Sequence, residues 1–243
     1  MAKHHLLFSA LGVVLLATLP SCNDDNSSSN LLRPTALVTV CPNADGSFIM
    51  QLDNTTQLVP TNLTTSPFGT KEVRALVNYT ETVASQQDKN ILNVELNWID
   101  SIRTKLPVET LGEQDIRFGN DPVEIVPDWV TVAEDGYLTL RVRTLWGAPN
   151  AIHIINLVTG TNPEDPYELE LRHDARGDIN GRWGDALIAF NLNNLPRTDS
   201  DSEKIKLKWK SFTGDKSAQF DIELRPRKQD IDANNILYSK SIE

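Results

Sequence analysis

Cysteine is nearly absent from this chain of 243 residues: only Cys22 and Cys41 occur. Cys22 directly follows a leader and is expected to be acylated, so Cys41 is the one free thiol of the mature chain and no intramolecular disulfide can staple the fold. Histidine is scarce as well. His4 and His5 lie in the leader, which leaves His153 and His173, too few for a histidine zinc centre with no third ligand in view. Positive charge never dominates: 33 acids face 23 lysines and arginines, for a net charge of −10. Such a surface repels phosphate backbones, so no nucleic acid is expected as partner. A Gly-x-Ser-x-Gly elbow, a phosphate loop and a dinucleotide fingerprint are all missing. No catalytic residue and no cofactor are therefore expected.

The long apolar run, Leu6 to Leu19, is short of the ~20 residues a membrane span needs. It follows a basic start containing Lys3 and reads as the core of a signal peptide covering residues 1–21. Leu19-Pro20-Ser21-Cys22 resembles a bacterial lipoprotein cleavage site, which makes Cys22 the expected acylated (palmitate-type) residue and the membrane a partner through an N-terminal lipid anchor. Asn23-Asp24-Asp25 resembles the surface-export signal of Bacteroides-like lipoproteins. These imply an outer-membrane lipoprotein exposed at the surface, or failing that facing the periplasm. Residues 22–31, with Asn-Ser-Ser-Ser-Asn at 26–30, have the composition of a flexible tether.

What fills the rest is β pattern. Leu37–Cys41, Phe48–Leu52, Thr56–Val59, Glu72–Tyr79 and Ile91–Ile99 are short alternating segments, five strands with little helix. Five strands over residues 32–105 suit a small closed barrel of the oligonucleotide/oligosaccharide-binding (OB) type, although strand count alone does not separate it from an SH3-like barrel. Residues 106–227 read as a second unit centred on a hairpin from Asp128 to Gly147, in which Gly136 supplies a positive φ at the turn. Leu138, Leu140, Val142, Thr144 and Trp146 share one face of its second strand. Tyr137, Thr139, Arg141 and Arg143 share the other. Further strands at Ile152–Val158, Tyr167–His173 and Ala186–Leu192, with a last hairpin turning at Gly214-Asp215, give a two-sheet, immunoglobulin-like β-sandwich. In that last hairpin Ile205, Leu207, Trp209 and Ser211 point inward. Lys204, Lys206, Lys208 and Lys210 form a solvated outer row, facing Asp221 and Glu223. Residues 228–243 lose the pattern and read as a tail.

Three places could carry chemistry. Asp174, Asp178 and Asp185 lie in a Gly- and Asp-rich stretch read as a loop, and are weak candidates for calcium: they lack the oxygen spacing of an EF-hand and match the composition of any turn. Among Trp129, Tyr137, Trp146, Tyr167 and Trp183, phase sends Trp146 to the core, and Trp183, read as lying outside a strand, is the best exposed candidate for binding, with capping one end of the sandwich as the favoured alternative. Asp100-Ser101-Ile102 resembles an O-glycosylation acceptor of exported proteins, with Ser101 as the modified residue.

Ser66-Pro67-Phe68-Gly69, Lys71-Glu72-Val73-Arg74-Ala75 and Asn97-Trp98-Ile99-Asp100-Ser101-Ile102 resemble the N-terminal domain of NigD-like proteins. Asn120 to Ile125, Glu134 to Thr139, Leu171 to Ala175 and Leu207 to Phe212 resemble their C-terminal domain. The resemblance implies a Bacteroides-type lipoprotein with an OB-type barrel followed by a β-sandwich, associated with bacteriocin immunity, and it carries over no catalytic residues. The combined expectation is an all-β, non-catalytic envelope lipoprotein that binds a protein, toxin or glycan. The rival expectations are a structural or accessory subunit of an envelope complex and, third, a calcium-dependent enzyme using Asp174 to Asp185.

Overall fold

The computed structural model describes residues 33–82, 90–197 and 202–225. The expected signal peptide, Cys22, Asn23, Asp24, Asp25, the tether and the 228–243 tail lie outside the described residues. Five strands form the first unit: β1 (Ala36–Pro42), β2 (Phe48–Gln51), β3 (Gln57–Pro60), β4 (Val73–Glu81) and β5 (Ile91–Ser101). They close into a barrel in the order β1-β2-β3-β5-β4, with β4 returning to β1 and only the β3–β5 pair parallel. This is the expected OB-like barrel. Period-2 alternation sends Val38, Val40, Met50, Leu58, Ala75, Val77 and Val94 into its interior, all fully buried.

The second unit is a two-sheet sandwich. One sheet runs β6 (Arg103–Lys105), β13 (Arg182–Asn191), β10 (Tyr137–Trp146) and β8 (Glu124–Ile125), with β9 (Val132–Glu134) also on β10. The other runs β15 (Gly214–Ile222), β14 (Glu203–Ser211), β12 (Glu168–Asp174), β11 (Ile154–Thr159) and β7 (Val108–Glu109). Leu138, Leu140 and Phe190 from the first sheet meet Leu157, Leu169, Leu171, Ile205 and Leu207 from the second in one core. The sheets are mixed: β6–β13, β7–β11 and β12–β14 pair parallel.

Several local readings need correction. Arg103–Lys105, assigned to the barrel from sequence, extends the sandwich sheet through β13 instead. The first arm of the central hairpin shortens to Val132–Glu134, because Thr131 N bonds Asp128 O and turns the chain there. Its turn is the tight two-residue type, with Asp135 and Gly136 both at positive φ (52° and 72°) and Glu134 opposite Tyr137. The last hairpin turns at Phe212-Thr213, since Ser211 already pairs with Gly214. Asp174 to Asp185 is a loop only in part, for β13 begins at Arg182. Trp146 is half-buried at the end of β10 rather than in the core. Of the lysine row, Lys204 pairs with Asp221 (2.8 Å), but Lys206 and Lys208 lean to Glu168 on the neighbouring strand, while Glu223 bonds Asn54 of the barrel.

The barrel covers the outer face of β10 near its start, so Tyr137 and Thr139 are as buried as Leu138 and Leu140 on the core side. Leu37 and Ile102 pack there on Ala189, with Leu76, Val132 and Leu187 around them. Beside this small apolar patch lies a polar junction. Fully buried Arg74 bonds Thr39 Oγ1 (2.8 Å) and pairs with Glu134, its guanidinium 5.8 Å from the Tyr137 ring. Arg225 approaches the same ring at 5.6 Å and pairs with Asp135 and Glu72. The Tyr137 hydroxyl donates to Glu72 and accepts from Asn191 Nδ2 (3.0 Å). Burial, followed by the Glu72 carboxylate, raises the Tyr137 hydroxyl far above its ordinary range. Cys41 sits at the edge of this group, 3.9 Å from Arg225 Nη2, its thiol pushed up to about 12 by burial and next by Glu72. It is a packing residue held neutral.

Candidate functional site

The two histidines, on separate strands in sequence, are brought together. His173 ends the inward row of β12 opposite Ile155, and His153 directly precedes β11. His153 Nδ1 lies 2.8 Å from His173 Nε2, His153 Nε2 lies 3.2 Å from Asp178 Oδ2, and His173 Nδ1 lies 3.1 Å from the Pro122 carbonyl oxygen. Both ends of this line are acceptors, and each takes one ring N–H. The bonding therefore assigns Nε2–H of His153 to Asp178 and Nδ1–H of His173 to Pro122, which leaves His153 Nδ1 and His173 Nε2 facing each other.

Asp178 also accepts from the backbone N–H of Gly147 (3.1 Å) and Ala148 (3.2 Å), which holds its carboxyl below the ordinary value, the His153 bond being the largest cause. Trp146 caps the group, its ring 3.9 Å from that of His153. Every ring nitrogen is thus engaged within the protein, and the arrangement works as a clasp between the 147–153 and 175–181 loops.

His173 is almost wholly buried, and its pKa is lowered by desolvation and by His153, against the opposing pull of Pro122, Asp121 and Asp174. A depressed folded-state pKa means that the unfolded chain binds the proton first. The stability from this site is thus complete above about pH 6.5 and is lost as pH falls through the folded value. Urea midpoints measured from pH 8 to pH 5 should fall with acidity, and His173→Gln should flatten that slope. An unchanged slope in the variant would remove His173 as the cause.

The second feature is the outer face of the β10–β13 ladder beyond the barrel. Register places Arg141 opposite Leu187, Arg143 opposite Asp185 and Leu145 opposite Trp183. Arg141 Nε donates to Asp185 Oδ2 (2.7 Å) and its Nη1 to Asp128, while Arg143 donates to Asp185 through Nε (2.5 Å) and Nη2 (2.9 Å). These bonds, Arg143 first, bring the Asp185 carboxyl down to about 2. At one end of the row a cleft of about 330 Å³ opens where the barrel meets the sandwich, with Trp129 on its rim. At the other end Trp183 meets Phe212 edge-on at 4.8 Å. Trp129 and Trp183 are 52% and 56% exposed, unusual for the largest apolar side chain.

The expected site residues fare differently. Trp183 is exposed, and it stands on β13 and not in a loop. Asp174, Asp178 and Asp185 are not gathered: Asp185 belongs to the arginines, Asp178 to the clasp, and Asp174 Oδ1 accepts from Arg176 N (2.9 Å). Among the described residues no group of three or more His, Cys, Asp or Glu is arranged to hold a metal ion. Ser101 ends β5 and is exposed. Sequence reasoning missed the Asp178–His153–His173 line and the Arg141–Asp185–Arg143 grid, because both depend on which strands are neighbours.

Two family models match the chain: the NigD-like N-terminal OB domain over residues 37–102 and the NigD-like C-terminal beta sandwich domain over residues 106–222. The chain belongs to the NigD-like family. Its OB and sandwich domains are the two units described above, and β6 falls between the two matched ranges. A solved structure of a toxin-related protein from Parabacteroides distasonis is 30% identical, covers 81% of this chain and 96% of its own, and has a TM-score of 0.66. Two others share the fold at lower identity. A NigD-like immunity protein from Bacteroides caccae is 20% identical, with 77% and 96% coverage and a TM-score of 0.54. A protein titled a lipoprotein from Bacteroides fragilis is 14% identical, with 79% and 98% coverage and a TM-score of 0.53. No curated protein matches the chain. Among the described residues of this NigD-like chain, no helix is long and apolar enough to cross a membrane.

Proposed function

We propose that this NigD-like protein is a non-catalytic lipoprotein of the outer membrane, anchored through Cys22 and displayed at the cell surface, that captures a partner on the outer face of its sandwich. The observation that carries the reading is the exposed Trp183–Phe212 pair, with exposed Ile179 on the adjacent loop. Large aromatic side chains left in water at the end of a domain are the side chains that dominate binding energies when covered. The NigD-like family and the immunity protein that shares the fold support bacteriocin immunity as the role of that capture. The lipoprotein of similar fold supports the anchor.

The test is a photo-cross-linking amino acid placed at Trp183 on intact cells, with one at Lys204 on the other sheet, where the side chain is 73% exposed, as control. A single adduct from position 183 and none from 204 is expected, together with release of the protein by external protease. No adduct, or the same adducts from both positions, would overturn the binding face. Protection from protease would overturn surface display by Asn23, Asp24 and Asp25.

A further inference from the structure

We infer that the ladder face binds a neutral glycan, with the Trp129 cleft as its anchoring subsite, an assignment that rests on the binding reading above and names the ligand class. A sugar ring offers two kinds of surface: apolar C–H faces and a rim of hydroxyls that both donate and accept. The cleft offers the complement of each. Its apolar lining comes from Leu76 on the barrel and Val130 and Leu187 on the sandwich, joined by half-exposed Trp129, whose indole is a flat apolar surface. Its polar wall is Asp128, Arg141 and Asp185, already locked to one another by ion pairs. Locked groups bind at little entropic cost, and both Asp128 oxygens and Asp185 Oδ1, each accepting one bond, keep lone-pair capacity for a hydroxyl.

Charge selects among glycans. Arg141 offsets one of the two carboxylates of the wall, and Arg143 pairs with Asp185 from outside the cleft, so the wall carries no positive charge to attract a uronate or a sulfate. The cleft volume of about 330 Å³ falls at the small end of ligand pockets, where a single sugar unit is seated and the rest of the ligand runs outside. Register supplies the continuation. Leu187, Asp185 and Trp183 lie on one face of β13, and four residues of strand span roughly 13 Å, which is the reach of a short oligosaccharide. Trp183 is thus a second stacking platform along the same line.

Affinity electrophoresis of the purified full-length lipoprotein, in gels cast with dextran, mannan, laminarin or xylan and with polygalacturonate as the anionic comparison, tests this. Retardation is expected in at least one neutral gel. Trp129→Ala should weaken it about tenfold or more, Trp129→Phe should retain most of it, and Trp183→Ala should weaken it less than Trp129→Ala. Melting curves identify any variant that has lost its fold. The same polysaccharide should protect tryptophan fluorescence of the unmodified protein from acrylamide, a readout that needs no variant. No retardation in any neutral gel, retardation by polygalacturonate alone, or retardation indifferent to Trp129 would each overturn the glycan assignment. If the Trp183 cross-linker then still recovers a single protein, the binding reading stands with a protein partner. If it recovers nothing, both fall together.

Discussion

Arg74→Ala is expected to destabilise the folded protein by about 3–5 kcal/mol in urea unfolding, the range for removing one partner of a buried ion pair. Arg74 has no exposed surface, yet its guanidinium serves three groups: Thr39 Oγ1, the Glu134 carboxylate and the face of Tyr137. Alanine would leave Glu134 without its cation and open a void between barrel and sandwich. Because Glu134 keeps 30% of its side chain in water, the upper end of the range requires the void as well as the lost pair. Arg74→Met combined with Glu134→Gln separates the two contributions. It restores volume and removes the orphaned charge, and its loss should be much smaller than that of Arg74→Ala. A loss below about 1 kcal/mol for Arg74→Ala would mean that the pair behaves as a surface bridge and that the junction does not depend on it.

Gly181→Ala should be nearly as damaging, by about 3 kcal/mol, adding backbone strain to overpacking. Gly181 has a φ of +135°, and a Cβ there would run into the carbonyl of Trp146 and the Cα of Gly147. The obstacle is backbone, so it cannot swing aside as a side chain would. The 175–181 loop must lift, and with it Asp178, which holds Gly147, Ala148 and His153. The variant should therefore lose the ring-current shifts that Trp146 imposes on His153, visible in the histidine proton spectrum, as well as stability. Intact shifts with full stability would show that the two loops accommodate a methyl group and that the clasp is looser than the geometry implies.

The barrel was readable because its strands follow one another in sequence and each alternates cleanly. Phe48, Met50 and Leu52 share one phase, and so do Val73, Ala75, Val77 and Tyr79. The sandwich core was readable for the same reason: Leu138, Leu140 and Val142 face inward as their phase requires. Phase gave less at strand ends and junctions. Trp146 has the core phase, but the core has ended by the tenth residue of β10, and the ring caps His153 instead. Tyr137 has the solvent phase, but a second domain lies over it.

The candidate site shows the same limit more sharply. Arg141 and Arg143 could be placed on one face from β10 alone, whereas Asp185 meets them only through the register of β13, which no local pattern specifies. Trp183 was found as an exposed aromatic, though for the wrong reason, since the Gly- and Asp-rich composition around it concealed the start of a strand. His153 and His173 share no spacing that marks them as a pair. Their meeting follows from the antiparallel β11–β12 ladder, which ends with Ile154 opposite Asp174.

The order in which strands find their neighbours has a kinetic consequence. The barrel is complete by Ser101 from strands that are mostly close in sequence, and it can close while later residues are still unstructured. The sandwich cannot. Its first sheet joins Arg103 to Ile188 in parallel, and its second has β14 beside β12, with β15 forming the edge at the end of the described chain. Such distant pairings must bear the entropy of closing long loops before any contact rewards it, which puts folding of this kind in the millisecond-to-second range. The sandwich thus acquires its native core only after nearly the whole chain is available, so a chain arrested during synthesis would hold a folded barrel and an open, aggregation-prone second domain.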